Sequence, residues 1–384
     1  MADPLRPGMA DLMRQYHAAG IETVMITGDQ GATAYAIGRE LGLGDGQPIK
    51  ILDSGTIDKV DPQLLSGLVR NTHVFARVSP AHKLSIVQAL QRGGRVVAMT
   101  GDGINDGPAL KASNIGVAMG GSGTDVARSV ADVVLEDDNL HTMVVAIREG
   151  RTIYDNIRKT IHYLLATNFT EIEVMLGGIA LGLGQPLNPM QLLWINLISD
   201  IFPGLALAVE PPEPDVMARP PRDPLEPIIP RHALGRMARE SAVITAGTLA
   251  AYAYGLLRYG AGARASTQAF TTLTTAQLLH ALACRSERHG LFGHAPRPRN
   301  PRLELAIGAS LLAQAAAGLL PPLRRLLGTT PLGPLDLGVA LVGAVGPLLV
   351  NEALKELRTD HRTSRAGDPR PPSRVPAEET GAHG

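Results

Sequence analysis

The residues best suited to chemistry in this chain form the string Thr100-Gly101-Asp102-Gly103-Ile104-Asn105-Asp106. This string directly follows the apolar run Val96-Val97-Ala98-Met99, which is typical of a buried parallel strand. Ligands of open α/β sheets bind at the carboxyl ends of the strands, so Asp102 and Asp106 are expected where a phosphate or a metal could be held. Glycines let the backbone approach a ligand, and magnesium prefers a few carboxylates with phosphate oxygens. Asp102 is therefore a candidate magnesium ligand.

A turn after a strand would explain Gly-Asp-Gly alone equally well, but the pattern occurs a second time. The apolar run Val24-Met25-Ile26 also ends in Thr-Gly-Asp, at Thr27, Gly28 and Asp29. Two strands would then deliver the same kinds of side chain to one edge of a sheet. The repetition favours a shared site over two unrelated turns.

Longer strings accompany these two. They are Arg77-Val78-Ser79-Pro80-Ala81-His82-Lys83, the continuation Gly107-Pro108-Ala109-Leu110-Lys111, Gly116-Val117-Ala118-Met119-Gly120, Gly123-Thr124-Asp125-Val126-Ala127 and Asp137-Asp138-Asn139. In this order and spacing they resemble the phosphorylation domain of P-type cation-transporting ATPases. The resemblance continues into the following apolar region at least to Pro230, which is more than half of the chain.

The resemblance implies catalytic roles for four residues. Asp102 would bind the magnesium that bridges the transferred phosphoryl group, and Asn105 and Asp106 would help to hold that metal site. Lys83 would place its ammonium group on the phosphoryl oxygens, although a lysine outside such a string would more often be a solvated helix residue. The residues that would face ATP and the phosphorylated site are Thr27, Gly28 and Asp29.

The residue that this family phosphorylates is the aspartate of an Asp-Lys-Thr-Gly-Thr string, which the 384 residues do not contain. Asp3-Pro4-Leu5-Arg6 resembles the hinge that follows the family's nucleotide-binding domain. The expectation is a fragment or one half of a split pump, whose partner would be the missing amino-terminal half with the actuator domain and four membrane helices. Because the family's nucleophile lies on a central strand, the remaining sheet would have unpaired edges.

Composition excludes several classes of function. The chain has 36 basic and 36 acidic residues, so it has no overall positive electrostatic field to attract nucleic acid. Its aromatic share of only 3% leaves little surface for stacking on bases. The single cysteine, Cys284, excludes a disulfide framework and zinc sites built on CxxC pairs. Its apolar surroundings predict a buried small side chain.

The pattern of the chain changes near residue 160. Before it, strands alternate with helical patterns at 11–19, 31–41 and 80–92, which is typical of βαβ units. After it come six apolar stretches of about the 20 residues that cross a bilayer. These stretches lie at about 161–183, 190–209, 239–257, 267–284, 303–320 and 333–352.

Lysines and arginines near the ends of these stretches predict their orientation. They are concentrated before the first stretch and in the second and fourth connections, at Arg151, Arg158, Lys159, Arg219, Arg222, Arg231, Arg236, Arg239, Arg285, Arg288, Arg297, Arg299 and Arg302. The helices are thus expected to lie in the lipid of the plasma membrane. The α/β domain and the carboxyl terminus are expected on its cytoplasmic side. Four residues oppose this bias, namely Arg258, Arg264, Arg324 and Arg325.

Polar residues occur within the first two stretches. An acidic residue at the centre of a span costs about 2.5–3.5 kcal/mol, so each needs a partner or a function. Asn168 and Glu171 stand at i and i+3, and Asn196 and Asp200 at i and i+4, so each pair shares a helix face. If the faces meet, their oxygens together with Ser199 form the dehydrated site that a hard cation requires. Helix-to-helix hydrogen bonding without an ion is the alternative.

The same five positions match the cation ligands of calcium pumps in the family, with Ser199 in place of a threonine. Gln277 stands where pumps with two sites have a glutamate, so it is a possible neutral ligand. Calcium is the leading prediction, and manganese, sodium and protons stay open. Pro203-Gly204 is expected to break the second helix and free backbone carbonyls. Glu173 lies about 200° around its helix from Glu171, facing another helix or an interface.

The sequence therefore predicts an incomplete α/β haloacid-dehalogenase-like, Rossmann-type phosphorylation domain at 1–150. An all-α bundle of six transmembrane helices at 151–357 and a disordered tail at 358–384 would follow. The predicted function is the carboxyl-terminal part of an ATP-driven pump that couples aspartyl-phosphate formation and hydrolysis to cation transport, inactive by itself, with ATP and magnesium as cofactors. Alternatives are an inactive remnant that only binds ions or partners, and a tethered phosphatase, for which the nucleophilic aspartate is lacking.

Overall fold

The computed structural model describes residues 5–44, 46–288, 290–291 and 298–366. The chain divides into two compact units. The first consists of Met1–Thr152 and Pro214–Pro227, and the second of Ile153–Glu213 and Ile228–Gly384. The segment Pro214–Pro227 therefore belongs with the α/β unit, although the sequence assigned it to the membrane domain.

The first unit alternates short strands with helices, as the βαβ pattern predicts. Its helices are α1 Met9–Ala18, α2 Gly31–Glu40, α3 Ser54–Ile57, α4 Pro62–Val69, α5 Pro80–Arg92, α6 Gly107–Ala112 and α7 Asp125–Val130. Its strands are β1 Met25–Ile26, β2 Ile51–Asp53, β3 Val74–Ala76, β4 Ala98–Gly101, β5 Ile115–Met119 and β6 Val133–Leu135. A single 3-10 turn, Ile104–Asp106, precedes α6.

The strands form two parallel sheets instead of the single sheet expected from the sequence. One has the order β1-β3-β2, with Met25 beside Val74 and Ile51 beside Val74. The other has the order β4-β5-β6, with Thr100 beside Val117. The first Thr-Gly-Asp string thus follows an edge strand, and the second begins within one. No strand in the described part of the chain pairs with the free edge of β1 or β4, so the expected unpaired edges are present.

Shared apolar clusters hold the two sheets in one unit. Val74 of the first sheet and Val117 of the second are fully buried members of one cluster, which also contains Leu12. Ile26 of β1 packs against a second cluster around Met99 of β4. The carboxyl ends of β1 and β4 consequently belong to the same compact unit without being hydrogen-bonded neighbours.

The second unit consists of helices and their connections. They are α8 His141–Ala180, α9 Pro189–Ile195, α10 Phe202–Ala208, α11 Arg231–Tyr259, α12 Ala263–Ala283, α13 Pro301–Leu319, α14 Pro321–Leu327 and α15 Pro334–Ala366. The boundary between the two units falls inside α8. Helix α15 extends through 358–366, which the sequence assigned to a disordered tail, and 367–384 lie outside the described residues.

The helices of the second unit have apolar outer faces and bury polar side chains among the apolar ones of their interior. Leu176, Leu312 and Val342 are exposed, whereas Thr167 and Gln277 are fully buried. This distribution is typical of a bundle surrounded by lipid.

Only part of the predicted six-span count is supported by length and hydropathy. Among the described helices, Pro189–Ala208 and Pro334–Leu357 are long and apolar enough to cross a membrane, and the bent pair Pro301–Leu319 with Pro321–Leu327 is a third if it forms one span. Each of the six predicted stretches is nevertheless largely helical. The remaining helices are less apolar because polar side chains face the interior, as Glu171 and Gln277 do.

Candidate functional site

The Gly-Asp-Gly string lies at the carboxyl end of β4, where the sequence predicts it. The strand ends at Gly101, and Asp102 follows it with an exposed side chain that has no hydrogen-bond partner among the described residues. The backbone carbonyl of Asp102 accepts from the amide of Thr124 at 2.8 Å, which fixes the loop. Asn105 is also exposed, whereas Asp106 is buried.

Lys83 lies beside the Gly-Asp-Gly string because a cap at Ser79 fixes where α5 begins. The Ser79 hydroxyl accepts from the amide of His82, the His82 ring accepts from the amide of Ser79, and Pro80 occupies the first turn. Such reciprocal caps set the start of a helix. One turn into α5, the ammonium group of Lys83 donates to Oδ1 of Asp106 at 2.5 Å. The structure therefore brings two predicted catalytic residues together, with Lys83 on Asp106.

Gly101 allows this ion pair because its lack of a side chain leaves room for Asp106. A Cβ atom at position 101 would lie 2.5 Å from Cβ and 2.8 Å from Cγ of Asp106. Such distances are far shorter than a van der Waals contact, so one of the two residues would have to move.

Gly101→Ala is therefore expected to displace Asp106 from Lys83 and to lower the free energy of unfolding of the first unit by about 1–3 kcal/mol, the usual cost of overpacking. Denaturant unfolding followed by the circular dichroism of the chain measures the change. Gly28→Ala is the matched control, since a Cβ atom there meets no atom within 4 Å. Equal stability of the two variants would contradict this explanation.

The first Thr-Gly-Asp string forms its own local bonds at the end of β1. The Thr27 hydroxyl donates to Oδ2 of Asp29 at 2.9 Å, and the Asp29 amide donates to the Thr27 hydroxyl at 3.1 Å. Within the described residues, no hydrogen bond or ion pair joins Thr27 or Asp29 to Asp102, Asp106 or Lys83. The two strings therefore lie in one unit without a hydrogen bond or ion pair between these described residues.

The Asp138 side chain holds the turn at 120–123. The Asp138 carboxylate accepts from the amides of Gly121 at 2.9 Å and Ser122 at 2.7 Å. These bonds to the ionised form lower the pKa of Asp138, with the Gly121 amide as the largest cause. The contribution of these bonds to folding stability is therefore present above the ordinary carboxyl pKa. It is lost as the pH falls through the pKa of Asp138 in the folded protein.

The polar faces predicted in the first two apolar stretches meet in the second unit. Asp200 accepts from the Thr167 hydroxyl at 3.0 Å and from the Asn168 amide at 3.3 Å. In the opposite direction, Glu171 on α8 accepts from the Asn196 amide at 3.3 Å. Each carboxylate is thus bonded to residues of the other segment. The structure thus brings Asn168, Glu171, Asn196 and Asp200 together.

The fourth stretch contributes Gln277 to the same group. Its Nε2 atom donates to the Thr167 carbonyl at 3.2 Å and to the Glu171 carboxylate at 3.4 Å. In the described part of the chain, Oε1 of Gln277 and the hydroxyl of Ser199 are buried without a hydrogen-bond partner. Buried polar atoms are rarely left unpaired, so these two oxygens mark places where water or an ion can bind.

The helix is distorted where Asn196, Ser199 and Asp200 occur. Residues Asn196–Ile201 form a π-helix between α9 and α10, and Pro203 lies in the first turn of α10. Proline has no N–H group to donate to the carbonyl four residues earlier, which is that of Ser199. That carbonyl accepts from the Tyr163 hydroxyl at 2.6 Å instead. The predicted break is therefore a π-helix, a feature frequent at functional sites.

Tyr163→Phe is expected to lower the free energy of unfolding of the second unit by about 1–3 kcal/mol, because it removes the donor of a buried hydrogen bond to the Ser199 carbonyl. Thermal unfolding of the chain in lipid nanodiscs provides the measurement. Tyr35→Phe, at a 42% exposed position, is the control and should change nothing. The explanation is wrong if both variants melt like the wild type.

Glu173 is not part of the cation-ligand group. It accepts from the Ser241 hydroxyl at 2.9 Å and from the Thr245 hydroxyl at 3.0 Å, both on α11. The helical angle between Glu171 and Glu173 explains why they face different neighbours.

Sequence reasoning missed Thr167 and Tyr163, which bond to Asp200 and to the Ser199 carbonyl. Both are signalled by spacing, because Thr167 precedes Glu171 by four residues and Tyr163 precedes Thr167 by four. All three thus share a face of α8. A hydroxyl group is only weakly polar, so Thr and Tyr residues in an apolar stretch are not recognisable from the sequence as part of a site.

Two family models and several calcium-transporting ATPases are similar to this chain. Residues 1–114 match the family model of haloacid dehalogenase-like hydrolases, and residues 184–357 match that of the carboxyl terminus of cation transporting ATPases. The calcium-transporting ATPase of Bacillus subtilis is 44% identical over 335 residues, which are 87% of this chain and 37% of that protein. Calcium-transporting ATPase 1 of Bacillus cereus is 40% identical over 92% of this chain and 41% of its own length. Calcium-transporting ATPase 1 of Saccharomyces cerevisiae is 36% identical over 92% of this chain and 38% of its own.

The chain belongs to the P-type cation-transporting ATPase family. It spans about two fifths of the length of these relatives, 37% to 41%. The P-type ATPase segment 184–357 includes Asn196, Ser199, Asp200 and Gln277, and the hydrolase segment 1–114 includes Asp102.

Proposed function

We propose that this chain is the carboxyl-terminal portion of an ATP-driven calcium pump, in which Asn168, Glu171, Asn196, Ser199 and Asp200 bind the transported cation and Gln277 assists. The observation that carries this proposal is that each carboxylate accepts hydrogen bonds from the other segment. Asp200 accepts from Thr167 and Asn168 of α8, and Glu171 of α8 accepts from Asn196. Two carboxylates balance the charge of a divalent ion, and hard cations select oxygen ligands. The names of the relatives support calcium as the cation.

One side of this site is open in the chain as it stands. Asn168 is exposed and Asp200 only partly buried, whereas Glu171 is buried. A further oxygen ligand from outside the described residues would close this side and complete the shell of a dehydrated cation.

The helices of the second unit are proposed to cross the plasma membrane six times, with the α/β unit and the carboxyl terminus in the cytoplasm. The crossings would be made by α8, by α9 with α10, by α11, by α12, by α13 with α14, and by α15. The helices at all six predicted stretches and the arginine-rich second and fourth connections support this topology.

The α/β unit is proposed to hold magnesium and ATP. Asp102 offers an exposed carboxylate at the end of β4, which suits a metal that keeps several waters and takes one or two carboxylates. Bound magnesium offsets negative charge on a transferring phosphoryl group. Asp106 holds Lys83 beside the same loop, so the ammonium group is positioned to contact phosphoryl oxygens. Thr27, Gly28 and Asp29 would contact the nucleotide and the phosphorylated residue.

A phosphorylation assay tests the proposal. The chain alone is expected to form no acid-stable phosphoenzyme from labelled ATP, because it contains no Asp-Lys-Thr-Gly-Thr string. Co-expression with the complementary amino-terminal part of the Bacillus subtilis relative should restore calcium-dependent labelling. Asp102→Asn should abolish that labelling, whereas Asp132→Asn, in the same unit, should leave it in place. Labelling of the chain alone would refute the proposal.

A further inference from the structure

A second group of ligand-type side chains lies in the second unit, separate from the cation ligands. His162 on α8, His280 on α12 and Cys284 at its end each place one ligand atom within 4.8 Å of the others. All three are buried, and Cys284 is a free thiol. Together with Glu240 of α11, we call these residues the histidine-cysteine cluster.

The cluster converges from three helices onto a small volume. Nε2 of His280 lies 3.4 Å from the Cys284 sulfur, because the two residues are four apart on one face of α12. Oε2 of Glu240 lies 2.6 Å from Nε2 of His162 and 3.8 Å from Nε2 of His280. A tetrahedral zinc ion holds its nitrogen and sulfur ligands about 3.3–3.7 Å apart, as its bond lengths require. His280 and Cys284 already satisfy this spacing, whereas His162 must move away from Glu240 and toward the other two for all four to bind one ion.

The charges of the cluster suit a divalent ion. One thiolate and one carboxylate balance two positive charges, and the two neutral imidazoles add none. Arg236 donates to a ring nitrogen of His162 at 3.0 Å, which stabilises the metal-free arrangement. Arg236 also donates to Glu287 at 2.9 Å, so it keeps a carboxylate partner when His162 turns toward a metal.

We propose that the histidine-cysteine cluster binds one transition-metal ion of the zinc class through His162, His280, Cys284 and Glu240. Imidazole and thiolate ligands select such ions, whereas calcium selects oxygen ligands. The ion is therefore different from the transported cation, and the inference does not rest on the proposed function.

Metal binding would connect α8, α11 and α12 beside the cation ligands. His280 follows Gln277 by one helical turn, and His162 precedes Tyr163, whose hydroxyl bonds to the Ser199 carbonyl. A bound ion thus fixes the helices that carry these residues. We expect zinc to raise the melting temperature of the whole chain, since a ligand that binds only the folded state stabilises it.

Cobalt titration of the whole chain in nanodiscs tests the proposal, because a thiolate bound to Co²⁺ has a charge-transfer absorption in the near ultraviolet. Cys284 is the only cysteine, so such a band reports on it alone. The expected result is one Co²⁺ per chain, with the band removed by Zn²⁺ and kept in excess Ca²⁺. The absence of the band from the folded wild-type chain would overturn the proposal.

Variants identify the remaining ligands. Cys284→Ser should abolish the band, and His162→Gln and His280→Gln should each weaken cobalt binding about tenfold or more. His232→Gln, at an exposed position of α11, is the matched control and should leave binding unchanged. Wild-type affinity in both cluster histidine variants would overturn the proposal. If these variants unfold, X-ray absorption of the zinc-loaded wild type decides, with one sulfur and two imidazole ligands expected and an oxygen-only shell contradicting the proposal.

Discussion

Asp200→Asn is expected to lower the calcium affinity of the purified chain by about 100-fold or more, the loss of roughly 2.7 kcal/mol of binding free energy. The variant keeps an oxygen that can accept from Thr167, but only one carboxylate then remains to balance the charge of a divalent ion. The charge of the ligands is what sets the affinity of calcium sites over several orders of magnitude. Equilibrium binding of radioactive calcium to the chain in nanodiscs measures the effect.

Glu173→Gln is the matched control for Asp200→Asn. Glu173 is likewise an acidic residue of the second unit, but its partners are Ser241 and Thr245 on α11. Its substitution should change calcium affinity by less than about threefold, because it lies outside the proposed ligand set. An equal loss in both variants would mean that total charge, and not the group formed by Glu171 and Asp200, determines binding.

Lys83→Met is expected to lower the free energy of unfolding of the first unit by about 3 kcal/mol. Its ammonium group is the ion-pair partner of Asp106, whose side chain is 8% exposed, and removing one member of a buried pair leaves the other charge uncompensated. The side chain of Lys83 is 20% exposed, which places the expected loss at the lower end of the range for buried pairs. Denaturant unfolding of the chain measures it.

Two further variants separate this pair from a general effect of lysine. The double variant Lys83→Met with Asp106→Asn should recover most of the lost stability, since no unpaired charge then remains. Lys111→Met, at an exposed position of α6, should change the stability by less than about 0.5 kcal/mol. Additive losses in the double variant would show that the two side chains are not coupled.

Local patterns predict the elements that position the site. The apolar runs at 24–26 and 96–99 overlap β1 and β4, and the string from Ser79 to Lys83 contains every residue that starts α5. Helical spacing likewise places Asn168 beside Glu171 and Asn196 beside Asp200 on their own faces. Such features depend on neighbours within a few residues, so the sequence determines them directly.

Contacts between distant segments could not be predicted in this way. The pairing of Lys83 with Asp106 spans 23 residues, and that of Glu173 with Ser241 spans 68. The π-helix at Asn196–Ile201 lies directly before Pro203, and the Ser199 carbonyl within it accepts from Tyr163 on another helix, a contact across 36 residues. The division into two sheets depends on which strands can pair with one another, and the sequence of a single strand does not show this.

We propose that the carboxylates of the second unit are coupled to the phosphorylation site, and phosphorylation from inorganic phosphate in the reassembled pump tests this coupling most directly. In the wild type, calcium should suppress this labelling, because ion binding favours the other state of the cycle. Asp200→Asn should still become labelled, but calcium should no longer suppress its labelling. Suppression of Asp200→Asn at the wild-type calcium concentration would contradict this coupling.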